Sequence, residues 1–148
     1  MARGRVLLAH GNADCQAIYS SVLTFSGYAV EIVDTVDAAL QRIAAEHYDV
    51  VVSDLYLPAA GNADDCLVRQ LRLGAIGAHL PAVILTAWTT TAHVRLAHEV
   101  GADRFLALPA TPRQLLAVIE ELLEGSHAPN LPPSPSWDLR HDPVTNGF

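Results

Sequence analysis

Between residues 5 and 124, five short, nearly continuous apolar runs alternate with five segments whose apolar residues recur at helical spacing. The runs cover residues 6–9, 29–33, 50–52, 82–85 and 105–108. A strand exposed on one face alternates apolar with polar residues. A run apolar at nearly every position needs cover on both faces, as in a parallel sheet flanked by helices. Strand–helix alternation builds βαβ units with right-handed crossovers, and five of them make a small doubly wound α/β domain. In that architecture ligands sit beyond the carboxyl ends of the strands, where the strand order switches.

The intervening segments carry their own start and stop signals. In the first, Cys15, Ile18, Val22 and Phe25 form one stripe, with Asn12 as N-cap and Gly27 as the stop. The second spans residues 36–47 behind Thr35, with Val36, Leu40, Ile43 and Ala44 facing inward. Leu67, Val68 and Leu71 mark the third, over residues 66–73. The fourth, residues 90–100, is interrupted by Arg95 and His98. In the fifth, residues 112–123, Leu115, Leu116, Ile119 and Leu122 repeat at helical spacing behind a Thr111–Pro112 cap.

Residues 1–124 are therefore read as one domain and 125–148 as a tail. The tail is rich in Pro, Ser, Asn and His and lacks apolar periodicity, which predicts a disordered or loosely docked segment. Pro129, Pro132 and Pro135 also fit a polyproline ligand for an aromatic groove, against the plainer reading of a passive tail. A formal charge of −7 argues against a nucleic-acid partner, since neutralising phosphates takes clustered cations. All nine basic residues are arginine; the chain has no lysine. Cys15 and Cys66 have no metal-ligand spacing and read as small core or helix residues. With no bilayer-length apolar run and no signal-peptide pattern at the start, the expectation is a cytoplasmic protein with no membrane partner.

The residues leaving the strand ends carry a resemblance. Asp49-Val-Val-Val-Ser-Asp54-Leu-Tyr-Leu-Pro58, Pro81-Ala-Val-Ile-Leu-Thr86-Ala87 and Gly101-Ala-Asp-Arg-Phe105-Leu-Ala-Leu108-Pro109 follow in the order and separation of the receiver domain of response regulators. The resemblance covers residues 5–124. It implies a flavodoxin-like five-stranded parallel sheet of order 2-1-3-4-5 and a signalling module, not an enzyme, within a two-component phosphorelay. By the same likeness Asp54 is the phosphoacceptor, Thr86 the switch hydroxyl and Phe105 the switch aromatic. The implied partner is a sensor histidine kinase or another signalling protein. The implied contact surface is the fourth helix, fifth strand and fifth helix, with Trp88 near its edge.

The family pattern also implies a Mg²⁺ site made by an acidic pair after the first strand, the acceptor aspartate and a backbone carbonyl, with a lysine after the fifth strand. Here His10 and Gly11 stand in place of the acidic pair and Leu108 in place of the lysine. Asp54 and the Tyr56 carbonyl are what remains for Mg²⁺, a weak hard-oxygen site. The loop of residues 59–65 is about two residues longer than the pattern. His10 beside Asp54 admits three readings: a pH-dependent cation, a ligand for a soft metal, or a locally hydrogen-bonded residue. Asp14 reads as a first-turn helix residue, Asp64 and Asp65 as solvated caps, and the spacing of His93 and His98 does not suit a metal pair. Trp88 reads either as an exposed partner anchor or as packing over the Thr86 loop. The competing function is a phosphorylation-independent scaffold that keeps the fold without the switch.

Overall fold

The computed structural model describes residues 3–57, 66–124 and 136–138. Strands β1 (Arg5–Ala9), β2 (Ala29–Val33), β3 (Val50–Ser53), β4 (Ala82–Thr86) and β5 (Arg104–Ala107) alternate with helices α1 (Ala13–Phe25), α2 (Val36–Ala45), α3 (Leu67–Leu73), α4 (Thr91–Glu99) and α5 (Pro112–Leu123). The five strands are parallel in the order 2-1-3-4-5, as the resemblance implied. A sixth, β6 (Ser136–Asp138), adds antiparallel to the outer edge of β5.

Continuous apolar strands are satisfied by two cores, one on each face of the sheet. Leu7, Val51, Ile84 and Phe105 pack on one side with Ala39, Ile43, Leu71 and Ala97 from α2, α3 and α4. Val6, Leu8, Val52, Leu85 and Leu106 face the other way, against Tyr19 and Leu23 of α1 and Leu115 and Ile119 of α5. Each such fully buried side chain contributes about 1.5–3 kcal/mol relative to exposure, so burial on both faces supplies most of the drive to fold. The caps hold as expected. Asn12, Thr35 and Thr111 accept the backbone N–H groups of Cys15, Ala38 and Gln114, and Gln114 returns a side-chain bond to the Thr111 N–H to close a capping box. Gly27 takes φ +103° just beyond α1, a conformation that favours glycine.

Two helix faces differ from the sequence reading. In α1 the stripe is turned by one position: Tyr19 and Leu23 are buried, whereas Ile18 and Phe25 are exposed, Phe25 to 94%. The Tyr19 hydroxyl accounts for the turn. It reaches across to donate to the Ala110 carbonyl, so an aromatic with a polar tip takes the inward position that a simple apolar count gave to isoleucine. In α2, Ala39 is buried and Ala44 is exposed. Of the tail, the structure describes only residues 136–138, where composition alone placed no strand. The predicted polyproline segment and the loop of residues 59–65, with Asp64 and Asp65, lie outside the described residues.

Candidate functional site

The parallel register brings the site together. Ala9 pairs with Ser53, so the next residues on each chain, His10 and Asp54, emerge side by side at the carboxyl end of the sheet. The Asp54 N–H bonds the Ala9 carbonyl at 3.0 Å, and the His10 N–H bonds the Val33 carbonyl at 3.0 Å, so both backbones are anchored. On the other flank Ser53 pairs with Ile84, which brings Thr86, two residues on, to the opposite side of Asp54.

The two oxygens of the Asp54 carboxylate have different surroundings. Oδ1 accepts the Leu55 N–H at 2.7 Å and the hydroxyl of Thr86. Thr86 Oγ1 in turn accepts the Trp88 N–H at 3.2 Å, which ties the β4–α4 loop to the carboxylate. Oδ2 accepts no hydrogen bond from the described residues; what faces it is His10 Nε2, 3.6 Å away. That separation is beyond hydrogen-bond length. The Asp54 side chain is 19% exposed, so the carboxylate is partly open to solvent.

His10 is 2% exposed. Its Nδ1 accepts the Asn12 N–H at 3.2 Å, which assigns the hydrogen of the neutral ring to Nε2. Gln16 Nε2 donates to the His10 carbonyl at 2.5 Å and closes the turn into α1. Of the three sequence readings of His10, local hydrogen bonding holds for Nδ1, while Nε2 is buried without a hydrogen-bond partner. Cys15 sits half-buried nearby, its thiol pushed up by burial and then by the charges of Asp54 and Asp14.

The residues present do not suit a hard divalent cation. Where the family's acidic pair would stand, Gly11 carries no side chain and His10 turns the positive end of an N–H dipole toward Asp54 Oδ2. Among the described residues no three His, Cys, Asp or Glu side chains lie close enough together to hold a metal ion. Leu108, in the place of the family's lysine, packs against the apolar α1–α5 side of the sheet.

Trp88 is both exposed and in contact with neighbouring rings. It is 51% exposed, yet its ring stands edge-on to Tyr56 at 5.7 Å and tilted against His93 at 5.2 Å. Tyr56 and His93 were not expected in such a cluster. Their signal was positional, since Tyr56 and Trp88 each follow Asp54 and Thr86 by two residues on neighbouring strands. Phe105 is fully buried between sheet and helices. Asp14 lies in the first turn of α1, as read, and His93 bonds its own cap residue, Thr90, through Nδ1 at 2.7 Å.

A carboxylate leaving β3, a hydroxyl leaving β4 and a buried aromatic on β5 of a doubly wound sheet define a receiver-type signalling module. Residues 6–120 match the family model of the response regulator receiver domain, and the chain belongs to that family. It is 33% identical over 144 residues to the response regulator MprA of Mycobacterium sp. (strain KMS), an overlap spanning 95% of this chain and 61% of MprA. The chain thus spans less than two thirds of the length of that relative. Among solved structures, the chemotaxis response regulator CheY4 of Vibrio cholerae is 25% identical with a TM-score of 0.71, covering 83% of this chain and 99% of CheY4. The receiver domain of sensor histidine kinase PA1611 of Pseudomonas aeruginosa PAO1, solved with a magnesium ion coordinated in its active-site cleft, shares the fold at 23% identity and a TM-score of 0.73, over 83% of this chain and 99% of that domain. None of the described helices is long and apolar enough to cross a membrane.

Proposed function

We propose that this receiver domain accepts a phosphoryl group on Asp54 from a histidine kinase or another phosphorelay donor, and passes the signal on by protein–protein contact. The observation that carries the reading is the division of labour within one carboxylate. Oδ1 is held by Leu55 and Thr86, and Oδ2 is left unbonded among the described residues, in a carboxylate partly open to solvent. A nucleophile held in orientation with one oxygen free is poised for in-line attack on phosphorus. Half-exposed Trp88, tied through its N–H to Thr86, would present a change at Asp54 to a partner on the α4–β5–α5 side. Incubation with acetyl phosphate, followed by intact-mass measurement, tests this. Wild type is expected to gain one phosphoryl mass and Asp54→Asn none; equal labelling of both, or of neither, overturns the assignment.

A second reading, a phosphorylation-independent scaffold, draws on one observation. The Thr86 hydroxyl already bonds the unmodified carboxylate while Phe105 is already buried. Under that reading Asp54→Asn leaves partner binding unchanged.

A further inference from the structure

We propose that His10 supplies, through its Nε2–H, the oxyanion contact for a phosphoryl group on Asp54, so that this site takes up phosphate from an acyl phosphate without a divalent cation. The inference rests on the reading of Asp54 as phosphoacceptor and names the group that replaces the metal.

Four observations converge on His10. Its ring is almost wholly buried, yet Nε2 has no hydrogen-bond partner, a condition that is costly in a folded protein. The ring is fixed, since the Asn12 N–H occupies Nδ1 and leaves the hydrogen on Nε2. The backbone is fixed too, by Val33 on one side and Gln16 on the other. Finally, the unpartnered donor faces Oδ2, the one Asp54 oxygen without a hydrogen bond among the described residues. At 3.6 Å the two do not bond each other, but an oxygen attached through phosphorus to Oδ2 would come within reach of Nε2–H. A buried donor aimed at the place where new negative charge arrives is the arrangement of an oxyanion site.

The step balances without further reactants. Asp54 Oδ2 attacks phosphorus and the Oδ2–P bond forms. The bond from phosphorus to the acyl oxygen breaks, and the carboxylate of the donor leaves with the electron pair. No proton moves: Nε2–H donates a hydrogen bond to a phosphoryl oxygen and keeps its hydrogen. Because the chain has no lysine and Leu108 holds the family's lysine position, this neutral donor takes over a share of what a cation would do.

The test is labelling by radioactive acetyl phosphate in excess chelator and in millimolar Mg²⁺, for wild type, His10→Ala, His10→Gln and Asp54→Asn. Wild type is expected to label at rates within twofold in the two conditions. His10→Ala should fall by about a hundredfold, the usual loss on removing one oxyanion donor. His10→Gln, whose amide nitrogen can donate from nearly the same place, should recover a tenth or more of the wild-type rate. A readout independent of turnover uses folded wild type alone: beryllofluoride formed without Mg²⁺ should move the His10 Nε2–H proton resonance, and should not do so in Asp54→Asn. Labelling of wild type that requires Mg²⁺, a His10→Ala rate equal to wild type, or an unmoved Nε2–H resonance each overturns the role of His10 while leaving Asp54 as acceptor. Absence of label in both conditions overturns the phosphoacceptor reading, and this inference with it.

Discussion

The Thr86 hydroxyl and the Asp54 carboxylate are joined by a direct hydrogen bond across neighbouring strand ends, with the Leu55 N–H on the same oxygen. Thr86 is wholly buried, so its hydroxyl has no water to turn to if that bond is lost. Thr86→Val keeps the β-branched shape and removes the hydroxyl, leaving the Trp88 N–H without its acceptor. The expected loss is about 1–3 kcal/mol for the broken bonds, read as a lower urea midpoint. Thr86→Ser should lose less than half as much, and Trp88 emission should shift in the valine variant but not in the serine variant. A valine variant as stable as wild type would show that the bond contributes nothing net.

At the opposite end of the sheet Asp49 ties β1 to β3. Its Oδ2 accepts the Arg5 N–H at 2.8 Å and its Oδ1 lies 3.1 Å from His47 Nε2. Burial works to raise the carboxyl, but the Arg5 N–H and the His47 contact outweigh it and hold the group below its ordinary 3.8. A carboxylate depressed in the folded state stabilises the fold above its unfolded value, and that contribution is lost as pH falls through the folded value. The window therefore opens below about pH 3.8. Asp49→Asn should cost about 1 kcal/mol at pH 6, the worth of one charged hydrogen bond partly exposed to water. The gap between the two urea midpoints should close as pH drops toward 3. A gap that stays constant down to pH 3 would remove the carboxylate from this account.

What the sequence disclosed, and what it hid, divides along physical lines. The five parallel strands and the helix caps were legible because a two-sided parallel sheet imposes near-continuous apolar runs, and Asn12, Thr35 and Thr111 sit where the backbone needs acceptors; the strand order came from the family resemblance. The juxtaposition of His10 with Asp54 was also legible, since aligning the ends of two parallel strands puts their next residues together. The orientation of the His10 ring was not. It depends on a single N–H from Asn12 on the Nδ1 side, a tertiary detail with no sequence period. The face of α1 was misjudged because a hydropathy count prefers Ile18 to Tyr19, while the structure rewards the residue whose hydroxyl reaches Ala110. β6 escaped because a three-residue strand pairs through its backbone and carries no periodic signature.

β6 lies along β5 in the register Arg104 with Asp138, Phe105 with Trp137 and Leu106 with Ser136. It covers the backbone edge of the strand that carries the buried aromatic. An uncovered edge strand is a template for pairing with another chain. Ending the chain after Glu124 should therefore lower the melting temperature by only a few degrees, because the two helix-covered cores remain intact. It should also raise self-association, seen as a sedimentation coefficient that rises with concentration more steeply than that of the full chain. A truncated chain that stays monomeric would show that the β5 edge needs no cover.

Restoring the family's charges should convert the site from one chemistry to the other. In His10→Asp, Gly11→Asp, Leu108→Lys, two carboxylates join Asp54 at the strand ends and a cation replaces the apolar residue at position 108. Three carboxylates in one mouth repel, so the variant should melt lower in chelator than wild type does. Mg²⁺ relieves that repulsion and binds the folded state, so millimolar Mg²⁺ should raise the variant's melting temperature while leaving wild type unmoved. With the Nε2–H donor gone, labelling of Asp54 in chelator should be lost, and labelling in Mg²⁺ should appear, the metal now neutralising the phosphoryl oxygens. The two acids without the lysine should restore metal binding more than labelling. Leu108→Lys alone, which keeps His10, should bring neither metal binding nor faster labelling, since a lone ammonium beside Asp54 pairs with the carboxylate it is meant to assist. A folded triple variant that binds Mg²⁺ and is never labelled would show that charge is not what obstructs phosphoryl transfer to Asp54.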